Sequence, residues 1–200
     1  MSGATEHSVV VAKAEARQES RARLESMPVA VREEGSRRIV AGVRAQPIWR
    51  EAKRVLLFAP IQLEPDVRGL CEVGMKEGKQ ICLPRWDGRE YVAAWMKRGW
   101  ADCVAGQFGI LEPCSDGETL SLNPLDLVLV PGIAWTRCGL RLGRGKGYYD
   151  RLLAATGGIH CGVAFDEQVV AELPFEAHDV RVEFLFTPSG CWRCRSAQAD

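Results

Sequence analysis

The chain has 200 residues, enough for one ordinary domain that buries roughly 70% of the surface its unfolded form exposes, without a disulfide or metal staple. Lysine plus arginine and aspartate plus glutamate each number 26, a formal net charge of zero that argues against a general nucleic-acid binder while leaving room for a local basic pocket. Hydrophobic and charged fractions of 46% and 26% exclude a largely disordered chain, and no apolar stretch approaches the roughly 20 residues that cross a bilayer.

Near the amino terminus, Val9–Val11 is too short an apolar run, and too soon followed by Lys13 and Glu15, for a secretory signal; a cytoplasmic protein is expected. Residues 8–24 lack Gly and Pro and are rich in good helix formers. Lys13, Arg17 and Arg21 recur every four residues, so a helix there carries all three on one face, which by itself reads as a solvated stripe paired with Glu15 and Glu19. Pro28 opens a second helix to about Arg44, and Pro47 ends it.

From there strands and helices alternate. Residues 54–59 form a short apolar run bounded by Pro60, residues 67–76 a helix that stops at Gly78, and residues 80–84 and 91–95 two further strands. Residues 126–131 are the clearest buried strand. A helix over 147–155 and strands over 159–165 and 183–187 complete the pattern. Fully apolar strands alternating with helices predict a sheet covered on both faces: one three-layer αβα, Rossmann-like α/β domain with a mostly parallel central sheet. Its core is expected over residues 8–188, with 189–200 a flexible tail.

Eight cysteines suggest a disulfide or zinc framework, but six stand ten or more residues apart. Only Cys191 and Cys194 form a C-x-x-C, and no second pair is visible to complete a four-ligand zinc site. Reduced thiols acting as small apolar residues are expected, with a redox or metal role for the tail pair as the alternative.

The chemistry concentrates in residues 131–150, which leave the carboxyl end of the best strand, where α/β sheets place their ligands. Gly143, Gly145 and Gly147 alternate with Arg144 and Lys146, and Arg141 adds a third cation. Glycines let the backbone approach an anion closely, the cations meet its charge, and a following helix adds free N–H groups, so a polyphosphate is the natural guest. A Walker A loop does not fit, because Gly147 follows Lys146 where Ser or Thr is required. A Rossmann dinucleotide fingerprint does not fit either, because its glycines come directly after the strand.

The run from Arg141 to Asp150, RLGRGKGYYD, resembles the signature of the 5-formyltetrahydrofolate cyclo-ligase (methenyltetrahydrofolate synthetase) family. Lys13 with Arg17, the segment from Gln46, the acid-x-acid motif Glu64–Pro–Asp66, residues 109–113, residues 165–168, and His178–Asp179 resemble further family segments in the right order, over residues 10–188. The resemblance implies Mg²⁺- and ATP-dependent conversion of 5-formyltetrahydrofolate to 5,10-methenyltetrahydrofolate with release of ADP and phosphate. It also implies small-molecule partners only, with no nucleic acid or membrane, and a monomer is expected.

By the same resemblance, ATP is held by Lys13, Arg17, Arg141, Leu142, Gly143, Arg144, Gly145, Lys146, Gly147, Tyr148 and Tyr149. The folate meets Ile61, Asp66 and the loop from Arg144 to Tyr148, with Arg144 and Lys146 catalytic; magnesium is assigned to Asp150 and Glu183. On position alone Asp150 is equally an acid complementing a first helical turn. Trp95 and Trp135 are candidate aromatic walls for the pterin, and a lone His178 is more often structural than a base. Thr136 and Glu183 depart from the family pattern, which has an aspartate at both places. That leaves as alternatives a paralogue with another substrate or a non-catalytic nucleotide- or folate-binding module.

Overall fold

A computed structural model describes residues 2–106, 109–114, 118–120, 122–177 and 179–194. Five α-helices are present among them: α1 (Ser2–Ser26), α2 (Val29–Ala45), α3 (Pro47–Glu51), α4 (Gly69–Lys76) and α5 (Tyr148–Ala154). Pro47 does not merely end α2. Gln46 is extended and Pro47 takes the first turn of α3, where its missing N–H costs nothing.

The strands are β1 (Arg54–Leu56), β2 (Gln80–Trp86), β3 (Tyr91–Trp95), β4 (Cys103–Ala105), β5 (Leu111–Pro113), β6 (Thr119–Leu120) and β7 (Leu127–Val130). They continue with β8 (Ala134–Thr136), β9 (Arg141–Leu142), β10 (Ile159–Val163), β11 (Val169–Val170), β12 (Phe184–Thr187) and β13 (Gly190–Arg193). The main sheet has the order β13-β12-β10-β7-β1-β2-β3-β6. Its middle five strands, β12 to β2, are parallel, and antiparallel pairings add the edges.

Alternation along the parallel strands sorts the core into two layers. Val55, Leu57, Ile81, Leu83, Leu127 and Leu129 face one way, against Ile39 and Val43 of α2, Trp49 of α3 and Leu70 of α4. Leu56, Cys82, Val128 and Val130 face the other, against Leu152 and Leu153 of α5 and Trp135 of β8. Burying each such aliphatic side chain contributes roughly 1.5–3 kcal/mol, which is why runs without alternation in polarity become central strands covered on both faces. The expected αβα sandwich is the observed one.

The segment expected as a flexible tail is partly a strand. β13 pairs with β12 in register Phe186↔Cys191, and Trp192 lies under the Arg137 guanidinium at 4.6 Å. Residues 195–200 lie outside the described set. Because a strand's side chains alternate, Cys191 packs into one core layer and Cys194 into the other. All eight cysteines are free thiols; Cys71, Cys82 and Cys161 are buried.

Candidate active site

Sheet order fixes where a ligand can enter. After β1 the chain passes through α4 to β2 on one side; after β7 it passes through α5 to β10 on the other. The crossovers diverge between β1 and β7, leaving a crevice at their carboxyl ends, the topological switch point of an open α/β sheet. Phe58 and Ala59 after β1, and Pro131 and Gly132 after β7, line a cavity of about 360 Å³ at that crevice. No helix among the described residues is long and apolar enough to cross a membrane.

The glycine-rich loop forms the cavity's rim. β8 and β9 pair as a hairpin, Ala134 opposite Leu142, and the loop springs from its end. Gly145 (φ 94°) and Gly147 (φ 62°) adopt left-handed backbone that costs other residues about 1–3 kcal/mol, so the loop's path depends on glycine there. Every residue from Arg141 to Asp150 lines the cavity, as do Lys13 and Arg17 of α1. Arg17 Nε donates to the Gly143 carbonyl at 2.9 Å, tying α1 to the loop. The helix face that reads as a solvated stripe therefore turns two of its three cations inward.

Carboxylates meet these cations one by one. Arg141, whose side chain is 4% exposed, donates from Nη2 to Asp150 Oδ1 at 2.7 Å, while its buried Nε has no hydrogen-bond partner among the described residues. Arg144 reaches Glu64 Oε1 at 3.2 Å. Burial pushes the Glu64 carboxyl up from its usual range, against the Ile61 N–H and the Arg144 charge, which lower it. Lys13 bridges Glu176 at 2.8 Å and Asp179 at 2.7 Å. Burial opposes its charge, but those two carboxylates together hold the ammonium above its ordinary range.

Aromatic rings close the far wall. Tyr91 packs edge-on against Trp86 and against Tyr148, each at 5.3 Å between centroids. Tyr149 lines the cavity but also joins both core layers, and burial drives its hydroxyl pKa up. Beside them Glu112 is 5% exposed; its Oε2 accepts the Trp86 N–H at 2.9 Å and its Oε1 has no partner among the described residues.

All eleven residues expected at ATP, and Ile61, line this one cavity. Two expected residues do not. Asp66 turns toward α4, its carboxylate on Arg68 at 2.6 Å and its N–H on Ser36 Oγ, while Glu64 of the same motif faces the crevice. Glu183 sits at the amino end of β12, with its Oε2 accepting the His160 N–H at 2.8 Å. Parallel strands put that end opposite the crevice, so Glu183 and Asp150 do not share a site.

The tryptophans offered as pterin walls are elsewhere as well. Trp135 is fully buried against Gly162 and Gly132, and Trp95 lies outside the cavity lining, under Lys97. Thr136 is buried, its Oγ1 accepting the Leu140 N–H at 3.1 Å in the β8–β9 turn. His178 lies outside the described residues.

Sequence reasoning missed Glu112, Tyr91, Glu176 and Asp179 as cavity residues. Only Asp179, beside His178, and Glu112, in the segment 109–113, had any local signal.

The profile of the 5-formyltetrahydrofolate cyclo-ligase family matches residues 9–188. A 5-formyltetrahydrofolate cyclo-ligase of Mycolicibacterium smegmatis is 34% identical over 82% of this chain and 87% of its own. One of Mus musculus is 28% identical over 86% of this chain and 91% of its own. The solution structure of Aquifex aeolicus 5,10-methenyltetrahydrofolate synthetase superposes with a TM-score of 0.85 at 34% identity, covering 94% of this chain and 95% of that one.

Proposed function

The chain belongs to the 5-formyltetrahydrofolate cyclo-ligase family, and from that premise we propose how its cavity works. The enzyme is a ligase that closes 5-formyltetrahydrofolate to 5,10-methenyltetrahydrofolate. ATP is the co-substrate. The N5-formamide oxygen is a poor leaving group, so the γ-phosphoryl moves onto it with ADP as the leaving group, N10 attacks the activated formyl carbon and loses its proton to water, and phosphate departs with that oxygen. Such a transfer needs positioning and charge neutralisation more than a protein nucleophile.

The observation that carries this reading is the convergence of Arg141, Arg144 and Lys146 on one switch-point cavity. Arg141 lines the cavity, paired on one side with Asp150, and its guanidinium offers a fixed charge to an incoming anion. Arg144 and Lys146 meet the charge that develops on the transferring group, which is their catalytic role. Lys13 and Arg17 act differently. Lys13 is neutralised by two acids and Arg17 grips the loop backbone, so they hold the rim in shape around the nucleotide.

Asp150 is the loop's own carboxylate, and a single such donor suits magnesium, which takes most ligands from phosphate and water. Bound there, the ion would neutralise phosphate charge. Ile61, Glu64 and Tyr148 border the folate. Thr136 and Glu183, which favoured a paralogue with another substrate, lie outside the cavity lining and give that alternative no support. ADP should appear only with 5-formyltetrahydrofolate present and in a one-to-one ratio with methenyl product; ADP release independent of the folate would overturn the coupling.

A further inference from the structure

Glu112 is a charged residue of the cavity that the loop chemistry leaves unused. It comes from β5, at 5% exposure, and only one of its oxygens is occupied, by the Trp86 N–H. Oε1 is buried with no hydrogen-bond partner among the described residues, and no lysine or arginine forms an ion pair with it there. An ionised carboxylate so placed is costly unless a ligand supplies donors. Space is tight around it: a methyl group on Gly106 would fall 2.8 Å from Oε1, so the backbone covers that side and the opening is the cavity.

Both substrates proposed above carry a flat heterocycle, and the carboxylate distinguishes them. Adenine's amino group stands next to a ring-nitrogen acceptor, which would face a carboxylate lone pair to lone pair. The pyrimidine half of a pterin presents its 2-amino group and N3–H side by side, two parallel donors that match two carboxylate oxygens. Tyr91 and Tyr148, edge-packed beside Glu112 in the cavity wall, offer the apolar surface a fused ring needs. We propose that Glu112 receives the 2-amino and N3–H donors of the folate's pterin ring, fixing which heterocycle enters this end of the cavity. The inference rests on the cyclo-ligase reading.

The test uses the full-length enzyme and its Glu112→Gln variant, with KM for 5-formyltetrahydrofolate and for ATP measured separately. Glutamine keeps an oxygen for the Trp86 N–H but turns an NH2 toward the ring's donors. KM for the folate should rise roughly 10- to 100-fold, the loss expected for charge-assisted hydrogen bonds, while KM for ATP stays within about twofold. A 2-desamino-2-methyl analogue of 5-formyltetrahydrofolate should bind wild type less well by a similar factor and be discriminated little by the variant. The wild-type comparison decides the matter even where the variant melts early. An unchanged folate KM in a folded variant, or no discrimination of the analogue by wild type, overturns the role of Glu112 and leaves the cyclo-ligase reading intact. Wild-type enzyme that forms no methenyl product overturns both.

Discussion

Arg141 and Asp150 close the glycine-rich loop on itself: nine residues apart, they meet at 2.7 Å between Nη2 and Oδ1, one at each end of the segment that rims the cavity. The pair gives Asp150 two roles that a substitution series can separate. Asp150→Ala strands a buried guanidinium and should cost about 3–5 kcal/mol, several degrees in Tm. Asp150→Asn keeps an acceptor for Arg141 but weakens a metal ligand, so it should melt closer to wild type while needing more magnesium for half-maximal turnover. Glu183→Gln should leave the magnesium dependence unchanged. Magnesium titrations of turnover beside thermal melts check all three.

Arg144 is a different kind of cation. Its side chain is 45% exposed, so water screens the pair it makes at 3.2 Å with the more buried Glu64, and the pair contributes about 1 kcal/mol of stability. Arg144→Ala should therefore lower kcat by about 10²–10³, the scale for removing one preorganised charge-stabilising donor, with only a small shift in Tm. Unchanged kcat in a folded variant would remove Arg144 from the chemistry.

Thr136 stands where the family resemblance implies an aspartate, and the structure gives it a task in the turn rather than the cavity. Thr136→Ala leaves the buried Leu140 N–H without its acceptor and should cost about 1–3 kcal/mol. Thr136→Asp should raise turnover no higher than wild type; a gain would show that the lost carboxylate had limited the chemistry. Melting and initial rates on the two variants decide it.

The Lys13 cluster predicts an alkaline transition. Lys13 titrates above its ordinary value near 10.5, held there against burial by Asp179 and Glu176. A folded pKa raised above the unfolded one means that its stabilisation is complete below the unfolded value and is lost as pH rises through the folded one. Wild type should exceed Lys13→Met in Tm by a constant margin from neutrality to about pH 9.5, and the margin should shrink above about pH 10.5. A margin that shrinks instead toward acid would point to other groups.

How much of this was legible in the sequence differs element by element. The central strands were, because their middles, residues 55–57, 81–83 and 127–130, are buried on both faces and so apolar without interruption. The β4–β5 hairpin, the small sheet of β8, β9 and β11, and edge strand β13 were not: they run two to four residues, too short for periodicity to register. In the site, the loop was legible because glycine and cation alternate along one stretch. Lys13 was not, by residue pattern alone, because a helix face looks the same whether water or Glu176 and Asp179 meet it. The choice between Glu64 and Asp66 depended on where the chain turns after β1, and Leu63 turns it through a left-handed φ of 71° that no glycine announces. Glu183 failed for a topological reason, since the sense of β12 decides which end of the sheet a residue at its start occupies.

The central claim is that this cavity couples ATP to closure of the folate ring. Near-ultraviolet absorbance tests it most directly, because the conjugated methenyl product absorbs where 5-formyltetrahydrofolate does not. Purified enzyme with the folate, magnesium and ATP should give a steady rise, absent without ATP and strongly slowed in Arg144→Ala. A flat trace from folded protein that still binds ATP, or a rise of equal rate without ATP, would contradict the account.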